Sequence, residues 1–93
     1  MLKDSAFSEF ERGFKAGLDG NWSRAAEIFQ GVTREHPENS KAFYNLGLCY
    51  EYMRDYSAAI GALRRAYELH PDSLSRSELQ KLELWERELQ KDK

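Results

Sequence analysis

The sequence predicts an all-α protein built from two antiparallel helix hairpins and a closing C-terminal helix. Apolar residues recur at helical spacing, the pattern repeats with a period of about 34 residues, and turn-forming residues separate the apolar segments. We expect five helices, near 5–18, 22–36, 40–53, 56–70 and 76–91.

The length of 93 residues indicates a single domain spanning 1–93, because a second independent core would require roughly 50 more residues. Within it we expect a first repeat at about 6–39, a second at about 40–73, and a capping helix at about 74–91.

The repeat becomes visible when the chain is aligned with itself so that Gly13 meets Gly47. Small residues then align with small ones and large residues with large ones. Small residues let two helices approach closely while large residues fill the space around them, so we expect both sets to form the helix packing. This set is Gly13, Trp22, Ala25, Phe29, Gly47, Tyr50, Tyr56, Ala59, Leu63 and Ala66.

Turn residues fall where the hairpins should end. Pro37 and Pro71 cannot continue a helix, so each second helix should stop just before them. The dipeptide 20–21, Gly-Asn, breaks the first hairpin, and Asp55 can cap the helix that follows the second turn.

The second unit resembles the tetratricopeptide repeat family. It contains Phe43-x2-Leu46-Gly47-x2-Tyr50, followed by Ala59-x3-Leu63 and a proline, where the family has Trp-x2-Leu-Gly-x2-Tyr, Ala-x3-Phe and Pro. The first unit departs from the pattern, since its first helix has Glu9, Arg12 and Ala16 at positions of large apolar residues. The resemblance implies an α-solenoid, a right-handed superhelix of antiparallel hairpins that binds other proteins.

The C-terminal segment departs from the register of the repeat. Leu79, Leu82, Trp85 and Leu89 form an apolar stripe of their own at helical spacing, with charged residues around it. The tetrapeptide 75–78, Ser-Arg-Ser-Glu, has the form of a capping box at the helix start. We therefore expect a helix that closes the solenoid with a polar outer face.

The resemblance places the first helix of each unit along a concave, peptide-binding groove. The residues it puts there are Phe7, Phe10, Phe14, Lys41, Tyr44, Asn45, Leu48 and Tyr52. Because Gly13 and Ala16 mark the packing side of the first helix, we expect the phenylalanines to lie on a different arc from the hairpin contact. The alternative, that these aromatics belong to the core, stays open.

Some relatives bind a chaperone's C-terminal carboxylate with a clamp of Lys, Asn, Asn, Lys and Arg. Only Asn45 stands at its clamp position here, and Phe10 and Phe14 occupy the first Lys and Asn positions. A chaperone tail is therefore disfavoured as the partner.

Composition argues against several other functions. Fourteen basic and sixteen acidic residues alternate along the chain, so no concentrated basic surface for nucleic acid is expected. No apolar run is long enough for a membrane span, and the N-terminus does not resemble a secretory signal. Cys49 is the single cysteine, which suits a reducing, cytoplasmic location.

No catalytic, metal or cofactor motif is recognisable, so we expect no enzyme activity and no cofactor. His36 and His70 occupy the same position in successive repeats, so a solenoid would stack them along its length instead of joining them at a metal.

The sequence thus predicts a protein–protein interaction module, an adaptor or scaffold that binds a peptide or amphipathic helix in an aromatic groove. Three alternatives remain open. One is a small chaperone of a secreted or aggregation-prone protein. Another is a self-associating structural module, in the simplest case a homodimer. The third is a regulatory piece of a larger enzyme.

Overall fold

The structure, a computed structural model, describes residues 5–91 of the chain and the side chains of residues 8–91. It contains five helices within this range: α1 (Ser5–Leu18), α2 (Trp22–Glu35), α3 (Ser40–Tyr52), α4 (Tyr56–Leu69) and α5 (Ser73–Lys91). The closest packing joins helices that are consecutive in the chain, in an elongated body of 54 × 28 × 19 Å. The predicted all-α solenoid of helix hairpins is confirmed.

Both hairpins are held together by a glycine that faces a large side chain. A Cβ placed on Gly13 would lie 2.6 Å from the Phe29 ring, and one on Gly47 would lie 2.7 Å from Leu63. Phe29 and Leu63 are buried, with 2% and 0% of their surface exposed. The glycines therefore permit a helix separation that alanine would increase.

The two hairpin turns share one backbone design. Gly20 has φ +79° and Arg54 has φ +63°, so both are in the left-handed region that favours glycine. The next residue then caps the following helix: Asn21 accepts a hydrogen bond from the Arg24 amide, and the carboxylate of Asp55 accepts one from the following helix. Side-chain capping satisfies amides that have no partner within the helix.

The start of α5 differs from the prediction. The helix begins at Ser73, earlier than the expected start at position 76, because Asp72 accepts a hydrogen bond of 2.8 Å from the Ser75 amide. The predicted capping box at 75–78 is therefore wrong, since these residues already lie inside the helix. The equivalent cap of α3 is Asn39, which accepts from the Ala42 amide. The step along the chain from Asn39 to Asp72 is one position shorter than the repeat period.

This shortening by one position explains why the last helix is out of register. When α5 is aligned with α3 through the two caps, three of the four buried positions of α3 meet buried or half-buried positions of α5. The pairs are Ala42 with Ser75, Leu46 with Leu79, and Cys49 with Leu82. The first helix of a third unit is therefore present.

The positions of α5 that correspond to the hairpin contact of α3 are polar. The positions where α3 contacts its hairpin partner through Gly47 and Tyr50 are Gln80 and Glu83 in α5. Glu83 forms an ion pair of 2.8 Å with Arg64 of α4. A polar surface at this position ends the packing of successive helices, as expected for a terminal repeat.

Candidate functional site

An open groove lies between α1 and α3, with a volume of about 250 Å³. It is lined by Gly13, Phe14, Gly17, Leu18, Trp22, Ala25, Phe29, Asn45, Leu48, Cys49 and Tyr52. None of these described lining residues is an acidic or basic side chain. The groove is therefore an apolar surface with a few hydrogen-bonding groups, the composition typical of sites that bind apolar side chains.

The floor of the groove exists because two residues of α1 lack side chains. A Cβ on Gly17 would lie 2.9 Å from the Trp22 ring, as one on Gly13 would approach Phe29. Ala25 of α2 is fully buried and completes the floor. Small residues at these positions leave room above the aromatic rings of α2.

One wall of the groove is a stacked aromatic pair. The rings of Trp22 and Tyr52 lie parallel, with 4.2 Å between their centroids and 5° between their planes. Trp22 is the first residue of α2 and Tyr52 is the last residue of α3, so the pair joins the two repeats. Tyr52 nevertheless keeps 62% of its surface exposed, and this surface is free to contact a ligand.

The opposite wall is formed by Phe14, which is 50% exposed. Its ring packs edge-on against Phe29 at 5.7 Å, and the ring of Phe10 lies 5.5 Å from the same Phe29. The expectation that these phenylalanines avoid the hairpin contact is therefore wrong. Because Gly13 has no side chain, the Phe29 ring fits between the two rings of α1. Phe10 is half-buried and also packs against Val32.

The predicted groove residues fall into two neighbouring depressions. Phe14, Asn45, Leu48 and Tyr52 line the groove between α1 and α3. Lys41, Tyr44 and Asn45 line a second depression, between α3 and the start of α5. Phe10 lines neither one, and the side chain of Phe7 lies outside the described residues.

Sequence analysis assigned Trp22 to helix packing and overlooked its second role as a groove wall. It also missed Gly17 and Leu18, which line the groove near the end of α1. The signal for Gly17 was available, because it lies one helical turn after Gly13 and therefore on the same side of the helix.

The second depression is bordered by charged groups. The Lys81 ammonium lies 2.9 Å from carboxylate oxygens of both Glu51 and Glu78. Burial lowers the pKa of Lys81, but the hydrogen bonds to Glu78 and Glu51 outweigh this effect and raise it overall. The pKa of Tyr44 is raised by burial and by the carboxylates of Glu78, Asp72 and Glu51.

The residues closest to a carboxylate clamp are engaged inside the protein. Asn45 donates a hydrogen bond of 2.8 Å from its amide to the Lys41 carbonyl of its own helix. Lys81 is bound by two carboxylates and lies 4.9 Å from the centre of the Trp85 ring. The Asn45 amide and the Lys81 ammonium are therefore already engaged within the protein and not poised to hold the terminal carboxylate of a peptide.

Cys49 lies beneath the groove and is 2% exposed. Burial raises the pKa of its thiol to about 11, so the sulfur is almost entirely protonated at neutral pH. Within residues 8–91 no group of three or more His, Cys, Asp or Glu side chains is arranged to hold a metal ion. The same part of the chain contains no helix with the length and apolarity of a membrane span.

A second aromatic contact repeats the wall of the groove. Tyr56, the first residue of α4, packs edge-on against Trp85 of α5, with 6.1 Å between the ring centroids. Tyr56 aligns with Trp22 in the repeat, and Trp85 aligns with Tyr52 in the shortened register of the last helix. The second contact is thus equivalent to the first.

Hairpins that recur at this period, with glycines between their helices and a groove along their first helices, define a helical-repeat protein. The sequence profile of the Tetratricopeptide repeat family matches residues 19–73. The chain belongs to this family.

A curated relative is the BBSome complex member BBS4 of Xenopus tropicalis, 32% identical over 69 residues. The match covers 74% of this chain but 13% of the relative, so the chain spans a small part of that protein's length.

Two solved structures have the same fold. The Yersinia enterocolitica type III secretion translocator chaperone SycD has a TM-score of 0.86 and 20% identity, over 95% of this chain and 67% of that one. A tetratricopeptide repeat domain protein from Salinibacter ruber has a TM-score of 0.69 and 24% identity, over 85% of this chain and 92% of that one. Tetratricopeptide repeat domains are typically non-catalytic modules that bind other proteins.

Proposed function

We propose that this chain binds a peptide segment or an amphipathic helix of another protein in the groove between α1 and α3, and that it acts as an adaptor or scaffold. The observation that carries the proposal is an open, uncharged groove whose two walls, Phe14 and Tyr52, are each at least half exposed. An exposed apolar patch of this kind on a monomeric protein is commonly a binding site.

The shape of the groove suits the apolar side chains of a short segment. Its volume of about 250 Å³ lies slightly below the range of small-molecule pockets, roughly 300–1,000 Å³. Helix packing holds the floor at Gly13 and Gly17, and Trp22 supports the Tyr52 wall from behind. A rigid groove binds more tightly because fewer side chains must be ordered on association.

A second candidate function is that of a chaperone for a secreted or aggregation-prone protein. The likeness in fold to a translocator chaperone favours it. The same groove would then cover an apolar segment of the client until its release. Either role fits a reducing, cytoplasmic setting, in which the unpaired Cys49 stays a thiol.

The alternative occupant is a second copy of the chain, with Phe14 and Tyr52 buried in a homodimer. Light scattering over a range of concentrations distinguishes this case. In the absence of ligand, a peptide-binding module has the mass of a monomer, whereas a self-associating module has the mass of a dimer.

Selection from a display library of random peptides tests the proposal. Wild-type protein should enrich peptides with large apolar residues, and the double variant Phe14→Ala/Tyr52→Ala should lose this enrichment. The matched control, Leu84→Ala/Leu89→Ala, removes side chains that are 52% and 51% exposed on α5, away from the groove. Equal enrichment by wild type and the groove variant would refute the proposed site.

A further inference from the structure

A charged cluster lies between α3 and α5, close to Tyr44 of the second depression. Lys81 of α5 is held between Glu51 of α3 and Glu78 of α5, at 2.9 Å from each carboxylate. The side chains of Glu51 and Glu78 are only 16% and 21% exposed. Two carboxylates share one ammonium, so the cluster has a formal charge of -1 (two negative charges and one positive).

The negative region continues into the second depression. Asp72 lines this depression, and its carboxylate acts on the Tyr44 hydroxyl together with those of the cluster. Lys41 lies at the same rim, and His70 lies 3.7 Å from Asp72. With the histidine neutral, Asp72 and Lys41 cancel in formal charge, and the region keeps the -1 of the cluster.

The groove and this region adjoin at Asn45, which lines both depressions. A segment that lies along α3 in the groove therefore reaches the charged side when it extends past Asn45. The described lining of the groove supplies no charge that selects among ligands. The charge beside the apolar residue therefore comes from groups outside the groove, namely Lys41 and Asp72 in the second depression and the cluster next to it.

We infer that the partner segment combines a large apolar residue, seated between Phe14 and Tyr52, with an adjacent lysine or arginine that lies over the cluster of Glu51, Glu78 and Lys81. This inference rests on the proposed function and defines its partner class. A basic side chain gains a favourable interaction with the net negative charge, and an acidic one at the same place is repelled.

The expected size of the preference is modest but measurable. A charge pair about 4 Å apart in water-like surroundings interacts by ~1 kcal/mol, which corresponds to about a fivefold change in affinity. Replacing an acidic flank by a basic one converts repulsion into attraction. A peptide with a basic flank should therefore bind more than about fivefold more tightly than the same peptide with an acidic flank.

The test repeats the random-peptide display selection with two charge variants. Glu51→Gln/Glu78→Gln changes the cluster from -1 to +1. The control, Glu83→Gln/Glu86→Gln, makes the same change in total charge on the α4–α5 side, where Glu83 pairs with Arg64 and Glu86 accepts from Ser57. Circular dichroism establishes that each variant folds.

The inference predicts that wild type and the control variant enrich basic residues beside the apolar position, and that the cluster variant loses or reverses this bias. Enrichment of apolar peptides with no basic bias, or with the same bias in all three proteins, would overturn the inference and leave the proposed function intact. Absence of any enrichment would instead overturn the proposed function.

A second measurement uses wild-type protein alone, in case the cluster variant does not fold. Two synthetic amphipathic peptides share their apolar residues and differ only in having lysine or glutamate flanks. The lysine peptide should bind at least fivefold more tightly at low salt, and the difference should shrink as salt is added. Equal affinities at low salt, or tighter binding of the glutamate peptide, would contradict the inference.

Discussion

The rings of Trp22 and Tyr52 are stacked face to face at 4.2 Å, although the two residues belong to different repeats. The equivalent residues of the next repeat junction, Tyr56 and Trp85, meet edge to face. An aromatic residue at the start of each second helix therefore contacts an aromatic residue of the following first helix. This contact connects the repeats at the end where the hairpin turns lie.

Replacement of Tyr52 by alanine should lower the free energy of unfolding by about 0.5–1.5 kcal/mol, the contribution of an aromatic pair beyond buried area. Tyr52→Phe retains the ring and should change stability much less. Urea titration followed by circular dichroism measures both variants. Equal stabilities of the two variants would show that stacking on Trp22 contributes nothing.

The hairpin glycines should be intolerant of a methyl group. A Cβ on Gly47 meets Leu63 at 2.7 Å and the Ala59 carbonyl oxygen at 3.3 Å, so Gly47→Ala should destabilise the fold by roughly 1–3 kcal/mol. Gly61 is the control, because no described atom other than its chain neighbours and the nearby backbone of its own helix lies within 4 Å of a Cβ placed there. Gly61→Ala should stabilise the protein by about 0.5–1 kcal/mol through helix propensity. Thermal unfolding that gave both variants the same shift would refute this packing.

Each hairpin turn has one residue with positive φ, where glycine is favoured. Introducing glycine at one turn should therefore stabilise the fold, and removing it from the other should destabilise the fold. Arg54 has φ +63°, where a residue with a side chain is strained by roughly 1–2 kcal/mol relative to glycine. Arg54→Gly should therefore stabilise the fold by up to about 1 kcal/mol, after the greater flexibility of unfolded glycine is subtracted. Gly20→Ala should destabilise it, since Gly20 has φ +79°. Calorimetry of both variants checks the signs, and a destabilised Arg54→Gly variant would contradict the prediction.

The stability of the protein at acid pH should depend on the cap of α5. The hydrogen bond from the Ser75 amide lowers the pKa of Asp72 below its ordinary value, which is about 3.9. A carboxylate with a lowered pKa contributes stability above its unfolded-state pKa, and this contribution is lost as the pH falls through the folded-state pKa. The melting temperature of wild type should thus fall more steeply below about pH 4 than that of Asp72→Asn, which keeps the cap without a charge. Parallel pH profiles would contradict the assigned cap.

The thiol of Cys49 should be unreactive in the native protein. It is 2% exposed and burial raises its pKa to about 11, so neither access nor thiolate is available near neutral pH. Reaction with a thiol reagent at pH 8 should therefore proceed only as fast as the protein opens, and immediately in urea. Rapid native labelling would show that the floor of the groove is open to solvent.

Much of the fold followed from the sequence because its determinants are local. The pairs Gly13 with Gly47 and Ala25 with Ala59 carry the repeat, and Asp55 indicates a helix start at the next residue. The beginning of α5 was misplaced because two capping arrangements were available close together in the chain. Asp72 is the cap, because it accepts the hydrogen bond from the Ser75 amide, and Leu82 of the same helix lies in the core against α4.

The site was less accessible to sequence reasoning because it depends on how helices face each other. Periodicity placed Phe10 and Phe14 on one side of α1, but it could not show that Phe29 reaches between them once Gly13 removes the intervening side chain. Trp22 was assigned to packing because its partner, Tyr52, is distant in the chain and belongs to the other repeat. The binding role of the groove stays a prediction.

The most direct test of the groove uses the two tryptophans of the chain, because they mark different surfaces. Trp22 forms the wall of the groove, and Trp85 lies on the outer part of α5 beside Tyr56 and Leu89. Nuclear magnetic resonance titration with a peptide from the display selection follows the indole N–H signal of each. Binding of the peptide in the groove should shift the indole N–H signal of Trp22 strongly and that of Trp85 only slightly. A shift confined to Trp85, or bound peptide with neither signal moved, would contradict it.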